Sequence, residues 1–168
     1  MAFGIKFAPI FIPLRRRLQT LIIFLASNLP FSGLITIIIL YNLLFTQYYF
    51  VTLFYLAWWI FDHETPQRGG RRYDWFRRLP IWRLYAEYFP ITLIKTADLS
   101  ANGKYLFGLH PHGILCFSHS VNFLTEGTNF SELFPGIRPH LVTVNLQFLL
   151  PLQRELFLSG GACSASRE

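Results

Sequence analysis

Three of the chain's five histidines fall within one stretch, KYLFGLHPHGILCFSH, residues 104–119. His110 and His112 are two positions apart, so on an extended backbone both rings point to the same side. A neutral imidazole near its ordinary pKa can take a proton from a hydroxyl. Gly113, opening a helix, would offer backbone N–H groups to a developing oxyanion. A metal site is a second reading, because His110, His112, Cys116 and His119 supply suitable donors. Their spacing matches none of the common zinc patterns, and no acidic cluster lies nearby. The third reading is an ordinary turn in which the rings only hydrogen-bond. From residue types and spacing alone, all three stay open.

The elements that must position this stretch can be sketched from pattern. Asn102-Gly103 marks a turn, Tyr105–Leu109 reads as a short apolar strand, and His110 begins where Pro111 would stop a ladder. Ile114–Leu124 is expected to be a helix opening at Gly113. Upstream, Ile81–Tyr88 mixes apolar and charged positions as a short amphipathic helix does, with Pro90 ending it. ITLIKTADL, residues 91–99, reads as a strand or a connection into one. Downstream come a loop, FPGIRPHL, a strand within LVTVNLQF, a break at Pro151 and a helix closed by Gly160-Gly161.

More than half of the 168 residues are apolar, 18% are aromatic and 14% are charged, against roughly 25% charged in soluble chains. No Lys, Arg, Asp or Glu occurs from Leu18 to Phe61. As helix this stretch would measure about 66 Å, about twice a bilayer's hydrocarbon core. Two passes or a re-entrant hairpin use that length; one straight span does not. Arg15, Arg16 and Arg17 precede it, and Arg68, Arg71, Arg72, Arg77 and Arg78 follow it, which favours both ends on the cytosolic side. The turn is placed at Asn42 to Gln47, with Pro30 as a kink inside the first helix. A cleaved leader is disfavoured, since Leu25-Ala26-Ser27 is a poor cleavage site and the apolar run continues past it. Two cysteines make no disulfide framework. The chain therefore divides into a basic N-terminus (1–17), a membrane hairpin (18–61) and a soluble region (62–168). The net charge of +6 flanks an apolar segment, so anionic headgroups and substrate phosphates are the expected partners, not nucleic acid.

HPHG at 110–113, YFP at 88–90, TPQRGGRR at 65–72, LIKTADL at 93–99 and FPGIRPHL at 134–141 keep an order that resembles the second diacylglycerol acyltransferase family. That family includes monoacylglycerol and wax-alcohol acyltransferases of the endoplasmic reticulum. FAPIFIPLRRRLQTL, at 7–21, resembles its monoacylglycerol branch in particular.

The resemblance implies an α/β fold: a membrane helical hairpin, then an incomplete acyltransferase domain. It implies His110 to Gly113, with Pro111 inside, as the active-site motif, and Tyr88, Phe89 and Pro90 as a second motif tied to activity. The co-substrate would be acyl-CoA, with no bound cofactor, and the acceptor a mono- or diacylglycerol. Arg68, Arg71 and Arg72 are candidates to hold CoA phosphates or lipid headgroups. Related glycerolipid acyltransferases place an Asp five positions after a histidine; here position 115 is Leu and position 117 is Phe. The family also continues for as long again beyond this sequence. A shortened acyltransferase is thus expected, acting alone or associating with a related, longer one.

Overall fold

The computed structural model describes residues 11–110 and 116–165. The apolar stretch forms three helices. α1 spans Leu14–Ser27, α2 spans Leu29–Leu43 and α3 spans Tyr49–Phe61. Pro30 lies in the first turn of α2, where its missing N–H costs nothing, and the Asn28 side chain turns back onto the Phe24 carbonyl at 2.7 Å. The expected kink is thus a complete break, with α1 and α2 bent by 66°. The chain reverses between α2 and α3, where the Thr46 hydroxyl bonds the Leu43 carbonyl at 2.9 Å. The Thr52 hydroxyl then ties α3 to the Leu40 carbonyl of α2 at 2.8 Å.

No single helix among the described residues is long and apolar enough to cross a membrane; α1 and α2 together are, but for their bend. α2 and α3 expose apolar side chains around their circumference, Phe31, Ile38, Phe54 and Ile60 among them. A helix apolar all round belongs either in a protein core or in a membrane. α2 also touches the later part of the chain: a Cβ on Gly33 would lie 2.8 Å from Leu150 Cβ.

The remaining helices are short. α4 is Asp74–Arg77, α5 Ile81–Tyr88, α6 Phe117–Phe123, α7 Phe130–Leu133 and α8 Gln153–Gly160. β1, Val142–Thr143, pairs parallel with β2, Cys163–Ser164, and the connection between them carries a 3-10 turn (Asn145–Phe148) and α8. α8 ends on Gly161 at φ 94°, a left-handed cap that suits glycine.

The described residues are therefore mostly helical, which corrects the expected α/β balance. Tyr105–Leu109, read as a strand, is extended but joins no ladder, and of LVTVNLQF only Val142–Thr143 is strand. Strand propensity needs a partner to become strand, and none lies alongside residues 105–109 among the described residues.

Two apolar clusters hold α1 and the helices after α3 together. One joins Ile23 of α1 to Tyr85 and Ala86 of α5 and Val121 of α6; the other joins Leu124, Phe148, Leu158 and Ala162. Full burial of such aliphatic side chains is worth about 1.5–3 kcal/mol each. Between the clusters sits Arg77, wholly buried. One guanidinium nitrogen donates to the Phe123 carbonyl at 2.7 Å and the Gly160 carbonyl at 2.6 Å; the other reaches Glu126 at 3.1 Å.

Candidate functional site

α5 carries the second motif at its C-terminal end. Its face toward α1 and α6 is built from Tyr85 and Ala86, both 4% exposed. Tyr88 closes the helix, and Phe89 follows as its cap. The Phe89 ring stacks on Phe117 with centroids 5.1 Å apart and planes 21° apart, while Tyr85 meets Phe117 edge-on at 5.9 Å. Such contacts add about 0.5–1.5 kcal/mol beyond buried area. Phe117 is the first residue of α6, four positions after Gly113. The Phe89–Phe117 stack therefore links the Tyr88-Phe89-Pro90 motif to the helix that follows the histidine motif. Burial in this aromatic setting pushes the Tyr85 hydroxyl's pKa up, because the phenolate would lose its hydration.

His110 lies exposed at the end of the extended segment. Pro111, His112 and Gly113 lie outside the described residues, as does the start of the expected helix at Ile114. α6 opens at Phe117. His119, on α6, is partly buried, with Nδ1 enclosed and without a hydrogen-bond partner among the described residues. Among the described residues, no group of three or more His, Cys, Asp or Glu side chains is arranged to hold a metal ion.

The three arginines considered for phosphate contact have different surroundings. Arg68 is exposed and pairs with Glu64 one turn earlier. Arg71 donates to Asp62 at 2.7 Å and Glu155 at 2.5 Å, and its guanidinium lies 5.1 Å from the Trp58 ring centroid. Arg72 donates to Asp74 at 2.8 Å and to the Pro139 carbonyl at 3.4 Å. Arg71 belongs to a larger network. Arg154, 1% exposed, meets Asp62 Oδ2 at 2.6 Å and also donates to the Asp62 backbone carbonyl. Burial alone would raise the Asp62 carboxyl. Hydrogen bonds from Thr65 and Arg154, together with the charges of Arg154 and Arg71, outweigh it and hold its pKa below the ordinary value.

Sequence reasoning missed the contribution of α1. Arg15 donates to both carboxylate oxygens of Glu87, at 2.6 and 3.2 Å, and the Gln19 amide adds a third bond at 3.2 Å. The Arg16 guanidinium sits 5.1 Å from the Tyr88 ring centroid, a cation–π contact. Two of the arginines read as a topology signal thus grip the end of α5 that bears the second motif. The available clue was Glu87, an acid beside Tyr88 in a segment otherwise apolar or basic.

Comparison with known proteins gives a consistent result. Residues 41–168 match the family described as diacylglycerol acyltransferase. 2-acylglycerol O-acyltransferase 1 of Bos taurus is 45% identical over 98% of this chain and 49% of its own length. Acyl-CoA wax alcohol acyltransferase 1 of Homo sapiens is 48% identical over 74% of the chain and 38% of its own length. Diacylglycerol O-acyltransferase 2 of Danio rerio is 42% identical over 89% and 40%. The chain spans about half the length of the curated relatives it matches. No solved structure matches it.

Proposed function

Because the chain belongs to the diacylglycerol acyltransferase family, we propose that it carries the histidine-bearing half of a membrane acyl-CoA O-acyltransferase acting on mono- or diacylglycerol in triacylglycerol synthesis. The observation that supports this most is the family match over 41–168, a range that includes His110–Gly113 and Tyr88–Pro90.

The acceptor hydroxyl oxygen attacks the thioester carbonyl carbon as His110 or His112 takes the hydroxyl proton. Backbone N–H groups from Gly113 onward stabilise the oxyanion. When the tetrahedral intermediate collapses, the C–S bond breaks and the imidazolium returns the proton to the thiolate, giving free CoA and the new ester. Tyr88, Phe89 and Pro90 support the motif through α6. Residues 18–61 form a hairpin in the endoplasmic reticulum membrane, and 62–168 face the cytosol with residues 1–17. Arg68 is the arginine best placed to meet a CoA phosphate or headgroup without giving up a buried partner.

The span of about half the relatives' length supports a second reading, a membrane chain without activity of its own that associates with a longer acyltransferase. Membranes from cells lacking neutral-lipid acyltransferases separate the two. Labelled acyl-CoA with monoacylglycerol should yield labelled diacylglycerol when the chain is present. An inserted, intact chain that gives no product but co-purifies with a longer relative would establish the second reading instead.

A further inference from the structure

The segment that delivers His110 is bare. Leu106 is 97% exposed, Phe107 42% and Tyr105 41%. Among the described residues, no backbone hydrogen bond joins 104–110 to any other segment. Tyr105 and Phe107 share one side of the extended run, and Phe107 rests 6.0 Å from Phe123 between ring centroids; Leu106 alternates to the other side. An extended run apolar on both faces has the pattern of a strand covered on both sides, as in a parallel sheet. A second uncovered apolar run begins in β1 and continues past it, with Val142 55% and Val144 59% exposed. The parallel β1–β2 pair is the start of such a sheet, and it is only two residues long.

The bilayer does not suit this surface. Each unsatisfied backbone N–H or C=O in hydrocarbon costs several kcal/mol, so an unpaired extended segment stays out of it. A polypeptide strand satisfies both needs at once, supplying ladder partners to the backbone and apolar cover to the side chains. The relatives carry polypeptide that could supply such a strand. Bos taurus 2-acylglycerol O-acyltransferase 1 matches 98% of this chain, yet half of that relative has no counterpart here.

We propose that Lys104–His110 is a docking strand, paired by the half of the relatives' polypeptide that this chain does not span, and that this pairing fixes His110 at a strand end. The inference rests on family membership and not on the proposed reaction.

Amide hydrogen exchange tests it. The full chain is co-expressed with the unmatched half of the Bos taurus relative, and exchange is read at Tyr105–His110. Exchange should be fast in the chain alone and slower by roughly tenfold or more in the co-purified pair. Leu106→Asp alters a side chain almost wholly in solvent, so it should leave the melting of the chain alone unchanged while abolishing co-purification. Four results would overturn the proposal: no co-purification by the unaltered chain; equally fast exchange in the pair; slow exchange in the chain alone, as self-association or the bilayer would give; or capture retained by Leu106→Asp. None of these readouts depends on acyl transfer, so an inactive chain leaves the test intact.

Discussion

An incoming phosphate would meet three different arginines. Among the described residues Arg68 pairs only with Glu64, at the surface, an interaction worth under about 1 kcal/mol, so Arg68→Ala should hardly change stability. Arg71 and Arg154 share Asp62. Removing one partner of a buried pair costs about 3–5 kcal/mol, so Arg154→Met should lower the urea midpoint in detergent far more than Arg68→Ala. Acid should act at the same place. The Asp62 pKa is held below its unfolded value, so the stability it supplies is present above the ordinary carboxylate range, about pH 4, and is lost as pH falls through the lower folded value. Asp62→Asn should therefore be destabilised at pH 7 yet show a shallower loss of stability in acid, checked by unfolding at a series of pH values. A parallel loss in both proteins would remove Asp62 from that role. None of this network was legible in the sequence, because Asp62 and Arg154 are far apart in the chain and only the fold makes them neighbours.

At the level of elements, local signals were readable and non-local ones were not. α5 occupies Ile81–Tyr88 as its amphipathic pattern and Pro90 indicate, and the reversal between α2 and α3 falls at the polar break around Asn42–Gln47. Both depend on residues within a few positions of each other. The strand at Tyr105–Leu109 failed as a reading because its apolar run specifies a strand only when another segment pairs with it. The grip of α1 on α5 is equally non-local: Arg15 and Glu87 are 72 positions apart. Gly127 tests how α5 is held. A Cβ there would fall 2.5 Å from the Trp82 carbonyl oxygen and 2.7 Å from Val121. Gly127→Val should push α5 from α6 and lower the melting temperature well beyond the effect of Arg15→Ala, whose exposed ion pair contributes little. Similar melting temperatures for the two variants would mean that the α5–α6 packing is looser than described.

On the scale of the whole molecule, lipid and protein compete to cover apolar surface. α2 and α3 expose theirs around the helix axis, whereas α1 is tied to α5 by Ile23 against Tyr85 and Ala86 and by the bonds of Arg15 and Gln19 to Glu87. Composition made the long apolar stretch legible, but it could not show that Gly33 brings α2 against Leu150. Orientation can be read from Asn129, which is exposed within the acceptor sequence Asn129-Phe130-Ser131. With the soluble region on the cytosolic side, Asn129 should carry no glycan when the chain is expressed in microsomes. A glycosidase-sensitive shift in mobility would reverse the orientation.

The histidines decide the central claim. Acyl transfer from labelled acyl-CoA to monoacylglycerol should be compared between the unaltered chain and its His110→Ala, His112→Ala double variant, in membranes free of other neutral-lipid acyltransferases. The account predicts product from the first and at least a hundredfold less from the second, since general-base catalysis contributes roughly 10²–10⁴-fold, with equal membrane insertion. Undiminished transfer by the inserted double variant would contradict it.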